Sequence, residues 1–172
     1  SLFDEQVAQI EQVRNQAYID AITGLGNGRF FNAQLQSRLE SLEEPFVGAL
    51  VKLEIADMGA YNQRYGHDAG NWLLKQAGKL WRQQMDSVEN AVFARVAGAR
   101  FGALLPHVEC EQVGRLVADF MAELKALEPF AQSQVSLDVF AGIALCAVGR
   151  DLQSEPPKTL ETEADNALQK AL

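Results

Sequence analysis

Glu54 closes Phe46 to Ile55, a nearly continuous apolar run with the composition of a strand buried on both faces. A carboxylate at such a strand end stands where α/β sheets collect their ligands. Gly24, Gly26 and Gly28 form a second candidate feature, a glycine-rich turn opening a helix, whose free N–H groups could cradle a phosphate. That turn follows a helix instead of a strand and lacks Gly-Lys-Ser/Thr, so a plain turn is the simpler reading. A third feature is the spacing Ala97-Gly98-Ala99, which joins two short apolar runs as a hairpin and is followed by Arg100. Cys110 and Cys146 are far apart without CxxC spacing, and His67 and His107 sit in separate segments, so no zinc pattern forms. Free buried thiols in a reducing compartment are expected.

The elements that must carry these residues follow from periodicity. Leu2 to Tyr18 contains no Gly or Pro, and Phe3, Val7, Ile10 and Ala17 recur at three-and-four spacing with Arg14 in the remaining seam position. It reads as one helix, either a short coiled-coil segment or a helix packed on its own domain. Phe30, Phe31, Leu35 and Leu39 mark a second helix ending near Pro45. After the Phe46 strand, Asp57 to Tyr65 and Asn71 to Met85 predict two helices, with Gly66 to Gly70 as the break between them. Ala91 to Val96 and Arg100 to Leu105 predict the hairpin strands. Val113, Leu116, Val117, Phe120, Met121 and Leu124 predict a long amphipathic helix. Val135, Leu137, Val139 and Ala141 alternate as a strand continuing through Leu145, Arg150 to Lys158 reads as a loop, and a last helix runs from near Thr159 to Leu172. Mixed helices with a hairpin predict an α/β sandwich whose mostly antiparallel sheet is covered by helices.

The chain has 172 residues, 48% hydrophobic and 22% charged, enough for one domain that buries roughly 70% of its unfolded surface. A net charge of -8 argues against a nucleic-acid or anionic-membrane partner, because phosphate surfaces demand clustered Lys and Arg. No apolar run approaches the roughly 20 residues that span a bilayer, and no signal-peptide pattern is present, so a cytoplasmic location is expected.

Three segments in order, Asp20-Ala-Ile-Thr-Gly-Leu25, Asn62-Gln-Arg-Tyr-Gly-His67-Asp-Ala-Gly70 and Ala97-Gly98-Ala99-Arg100-Phe101, closely resemble the GGDEF family, whose domains condense two GTP molecules into cyclic di-GMP. The resemblance covers roughly Tyr18 to Leu172 and implies the palm-like fold of nucleotidyl cyclases. It divides the chain into a signalling helix over 1–18 and a GGDEF-like domain over 19–172. Where the family hairpin reads Gly-Gly-Asp/Glu-Glu-Phe, both acidic positions are lost, at Ala99 and Arg100. The family's first-strand Asp falls at Glu54, one methylene longer. Its second Asp falls at Ala56, its Phe at Met58 and its phosphate-facing Lys at Gly59. Phosphoryl transfer leans on Mg²⁺, which wants carboxylate oxygens, and the resemblance implies that this hairpin supplies none.

Other family positions are better kept. Asn62 matches the guanine-contacting Asn, and Asn71 stands where the family has an Asp that accepts both guanine N–H donors, which an amide cannot do. Both could instead serve as helix-end caps. Ala164-Asp165-Asn166-Ala167-Leu168 matches the last family helix, but its Tyr falls at Gln169 and its Lys at Leu172. The inhibitory Arg-x-x-Asp falls at Val88, Glu89, Asn90 and Ala91, which keep neither residue. Adjacent strand residues face opposite ways, so only one of Ala99 and Arg100 can line the pocket. Arg100 could bind a phosphate, pair with Glu54 or lie exposed.

The resemblance therefore implies a catalytically inactive GGDEF domain in cyclic di-GMP signalling, relaying a signal from the N-terminal helix to a downstream EAL domain and other signalling partners. No cofactor is required, although weak GTP and Mg²⁺ binding is compatible. The alternatives are a GTP-sensing domain and an active cyclase with unusual residues. A homodimer, if formed, is expected through Leu2 to Tyr18.

Overall fold

In the computed structural model, which describes residues 1–40, 46–127, 137–148 and 164–169, the chain builds a four-stranded antiparallel sheet. The strands are β1 (Phe46–Ile55), β2 (Val92–Ala97), β3 (Arg100–Pro106) and β4 (Val139–Val148), in the order β2-β3-β1-β4. β1 is central because its run offers apolar side chains to both faces at once. Its pairing with β3 sets Leu50 opposite Leu104, Lys52 opposite Gly102 and Glu54 opposite Arg100. On the other flank, β4 sets Gly142 opposite Lys52 and Phe140 opposite Glu54.

The two-residue period of β1 divides the core into two layers. Ala49, Val51, Leu53 and Ile55 face a cluster filled by α3 (Met58–Tyr65), α4 (His67–Met85) and α5 (Cys110–Lys125), which contribute Tyr61, Leu73, Trp81, Val113 and Phe120. Trp81 anchors this layer. Its ring lies edge-on to Phe120 at 5.0 Å, and its indole N–H donates to the Gly102 carbonyl at 3.0 Å, so the buried polar atom is satisfied. Phe46 and Leu50 face the opposite layer with Phe31, Leu35 and Leu39 of α2 (Gly28–Leu39) and with Ala164 of a final helical segment over 164–169.

The N-terminal helix α1 (Leu2–Tyr18) starts at Ser1, whose hydroxyl and Asp4 form a capping box. None of its residues is buried, and Phe3 and Ile10 are 72% and 59% exposed, so it does not pack into the domain core. The seam predicted from its spacing lies open. No described helix is long and apolar enough to cross a membrane.

The start of α4 differs from the sequence expectation. α4 begins at His67 and not at Asn71, because the break is Gly66 alone, with φ of 92°, whereas Gly70 lies inside the helix. α2 ends at Leu39, and the approach to Pro45 lies outside the described residues. Val135 and the expected loop from Arg150 to Lys158 also lie outside them, as does the last helix beyond 164–169. The thiol expectation fails at Cys110, which is exposed at the first position of α5, and the Cys146 side chain is not among those described.

Candidate functional site

The strand ends bring Glu54 and Arg100 face to face. They are direct partners in the β1·β3 register, and the Arg100 Nε lies 3.3 Å from the Glu54 Oε1. Ala99 packs toward the helix-filled core layer, and its carbonyl accepts from the Ile55 N–H at 3.0 Å. Of the two hairpin residues that replace acids in the resemblance, Arg100 is therefore the one that reaches the strand-end carboxylate. The second Glu54 oxygen, Oε2, is buried without a hydrogen-bond partner. Gly98, with φ of 51°, supplies the left-handed position that the tight turn between β2 and β3 requires.

A hard divalent cation needs several oxygen ligands, usually including one or two carboxylates. Here one oxygen of the Glu54 carboxylate is taken by a guanidinium, whose positive charge opposes a cation beside it. The donor set does not fit Mg²⁺. Among the described residues no cluster of three or more His, Cys, Asp or Glu side chains could hold a metal ion.

Two residues down β1 on the same face, Lys52 is buried, the charged side chain so placed among the described residues. Its ammonium lies 3.6 Å from the Asp165 Oδ1 and 5.5 Å from the centre of the Phe31 ring. Its signal in the sequence was a lone Lys within the apolar run of β1, and the pairing with Asp165 was not anticipated.

Asn62 projects from the interior of α3, and its Oδ1 is buried without a partner. Gly70 is glycine for a local reason: a Cβ there would overlap the Asn62 amide. Asn71 is exposed on the second turn of α4, whose cap position is Gly66. The capping alternative fails for both residues, since each lies inside its helix. Tyr61, one residue before Asn62, has its phenol pKa pushed up by burial and by Tyr65, whose ring is 4.8 Å away.

The glycine turn proves to be a structural joint. Asp20 accepts from the Thr23 N–H at 2.8 Å and from its hydroxyl at 2.7 Å, while the Thr23 hydroxyl accepts from the Leu25 N–H. The Asn27 side chain caps α2 through the Phe30 N–H and donates to the Ala17 carbonyl at the end of α1. The Thr23, Leu25 and Phe30 N–H groups are thus engaged locally, and Gly28 lets the helix start lie against the Val96 carbonyl.

Arg95 ties this joint to the hairpin. Its Nη1 is 2.9 Å from the Asp20 Oδ1, its Nε donates to the Gly98 carbonyl at 2.6 Å, and both side chains are mostly buried. Arg95 was missed at the sequence level, although Asp20 belongs to the first quoted segment. At the positions of the inhibitory motif, Val88 is in the core, Glu89 and Asn90 are exposed, and Asn90 turns the chain with φ of 59°.

Comparison with known proteins places this geometry. The family model described as diguanylate cyclase, GGDEF domain, matches residues 17–172. The Bacillus subtilis protein YhcK is 27% identical over 163 residues, covering 94% of this chain and 44% of YhcK, so the chain spans less than half of that relative. Among solved structures, the coiled coil and GGDEF domain of DgcB from Caulobacter crescentus, in complex with c-di-GMP, superposes with a TM-score of 0.81 at 22% identity, over 97% of this chain and 86% of that one. The S helix-GGDEF-EAL part of Vibrio cholerae LapD, bound to c-di-GMP, gives 0.79 at 20% identity, over 98% and 37%. At these identities the two structures establish the shared fold.

Proposed function

The chain belongs to the GGDEF-domain family of diguanylate cyclases, and on that premise we propose that it is a member without cyclase activity that relays signals in cyclic di-GMP signalling. The observation that carries this reading is the Arg100–Glu54 pair. A cyclase must neutralise triphosphate charge with metal held by carboxylates. Here the hairpin contributes a guanidinium to that place, and the remaining carboxylate is engaged with it.

The relay half of the reading rests on the joint at Asp20. Asn27 ties the start of α2 to the end of α1, and Arg95 ties Asp20, two residues past that helix, to the Gly98 carbonyl of the hairpin. An exposed apolar seam on α1 suits pairing with a second copy of the same helix. The proposed output is an EAL domain, in the manner of the LapD S helix-GGDEF-EAL segment, 37% of which this chain matches, and the proposed setting is cytoplasmic.

Incubation of the purified chain with Mg²⁺ and GTP, followed by chromatography, tests the inactivity. No cyclic di-GMP is expected, while a diguanylate cyclase control makes it under the same conditions. A second reading, nucleotide sensing without turnover, is favoured by the buried and partnerless Asn62 Oδ1. Calorimetry with GTP and with ATP separates it from a pure relay: heat with GTP alone supports sensing, and no heat at millimolar nucleotide ends it.

A further inference from the structure

We propose that the outer face of α4 is a docking surface for an acidic helix of a partner protein. Both tryptophans of the chain lie on this helix, at positions 72 and 81, a spacing that sets them on opposite sides of it. Trp81 fills the core, whereas Trp72 is 44% exposed. Lys75, Lys79 and Arg82 continue the line from Trp72 at intervals of three and four residues, and all three are exposed. Asp68 and Asp86, also exposed, close the line at its two ends. The stripe therefore reads acid, tryptophan, three cations, acid.

Charge decides what fits it. The whole chain has a net charge of -8, yet α4 holds three cations, Lys75, Lys79 and Arg82, against the single acid Asp68. The stripe is a basic island on an acidic molecule. Lys75 and Lys79 hold no ion pair among the described residues. The three cations span roughly 10 Å of helix, and the aspartates that frame them repel a phosphate backbone or an anionic bilayer continuing past either end. An acidic helix matches both the length and the framing. Carboxylates spaced by three and four residues on one of its faces meet the three cations, and basic residues beyond them meet Asp68 and Asp86. An apolar side chain one turn away covers Trp72, the residue type that most often anchors a protein interface.

The stripe ends on the joint described above. The Arg82 Nη2 donates to the Gly24 carbonyl at 3.3 Å, and the Thr23 side chain lies against Gly78 one turn earlier. A partner seated along the stripe thus bears on the turn that Asp20 organises. The inference goes beyond the relay reading and stands whether or not the chain makes cyclic di-GMP.

Trp72 supplies the readout, because the other tryptophan is buried. The whole 172-residue chain is titrated with a synthetic helical peptide carrying one Leu and three Glu at the matching spacing. Parallel titrations use a scrambled peptide of the same composition, a peptide with Lys in place of Glu, duplex DNA, and phosphatidylcholine–phosphatidylserine vesicles. The Glu peptide should move the Trp72 emission to shorter wavelength and bind about tenfold more tightly than the scrambled one. Lys75→Glu combined with Lys79→Glu should weaken it about tenfold, the range two exposed charge pairs support, and leave the melting temperature unchanged. The same double variant should now prefer the Lys peptide. Trp72→Ala, followed by anisotropy of a labelled Glu peptide, should also bind more weakly. The proposal is overturned if the scrambled peptide binds as well as the Glu peptide, or if the double variant keeps its preference for Glu. It is equally overturned if DNA or vesicles shift Trp72 where the Glu peptide does not.

Discussion

Replacing Arg100 by Glu turns the strand-end pair into two carboxylates directly opposite each other, in register on β1 and β3. In the wild type the pair is separated by 3.3 Å, but the Arg100 side chain is 42% exposed, so solvent limits its net worth to about 0.5 kcal/mol. Like charges facing across a strand pair cost up to about 1 kcal/mol more. The variant should therefore be less stable by roughly 1 to 1.5 kcal/mol, a fall in Tm of about 3–5 °C for a chain of this size. Mg²⁺ should return that loss, since it finds two facing carboxylates where the wild type has an ion pair. With an affinity of about 1 mM, 10 mM Mg²⁺ stabilises by about 1.4 kcal/mol, or roughly 3–6 °C. Differential scanning calorimetry in MgCl₂ and in NaCl of equal ionic strength separates specific binding from screening. The wild type should melt at the same temperature in both salts. If the wild type gains as much from Mg²⁺ as Arg100→Glu does, or if the variant gains nothing, the assignment of Arg100 as the group that displaces the metal is wrong.

Three further outcomes follow from the same structure. Arg95→Ala leaves the mostly buried Asp20 Oδ1 and the Gly98 carbonyl without their donor and should lower urea stability by about 2–3 kcal/mol at unchanged m-value; in a double-mutant cycle with Asp20→Ala, additive losses would show that the tie carries no coupling. Ile10→Asp in the open seam of α1 should abolish any dimer seen by analytical ultracentrifugation while leaving the unfolding free energy of the monomer within about 0.5 kcal/mol of wild type, because the residue is 59% exposed and contributes nothing to the core; a dimer that survives would place the interface elsewhere. Tyr61 has its pKa raised in the folded state, so the unfolded chain loses this proton first, at about pH 10, and stability falls as pH rises from there through the higher folded value; denaturation at stepped alkaline pH should show a decline that is smaller in Tyr61→Phe, and equal declines would refute the assignment.

The sequence made β1 legible because burial on both faces leaves an unbroken apolar signature, and the order of helices and strands followed from periods of 3.6 and 2. The start of α4 was misplaced because Gly70 reads as a breaker. In the fold Gly70 is tolerated inside the helix to make room for Asn62, and Gly66 breaks the chain instead. Strand alternation said that Ala99 and Arg100 face opposite ways, but not which of them faces Glu54; only the β1·β3 register decides that. Arg95 and Lys52 stayed hidden for a related reason. Their partners, Asp20 and Asp165, come from distant segments, and neither pairing leaves a local pattern.

The central claim concerns chemistry at the hairpin, and turnover tests it most directly. Purified chain at micromolar concentration, incubated with Mg²⁺ and GTP and sampled over hours by chromatography with mass detection, should yield no cyclic di-GMP above a protein-free control. Sustained formation of cyclic di-GMP in proportion to the amount of chain would contradict the account, because a site with Arg100 on Glu54 would then be holding the metal that the reaction requires.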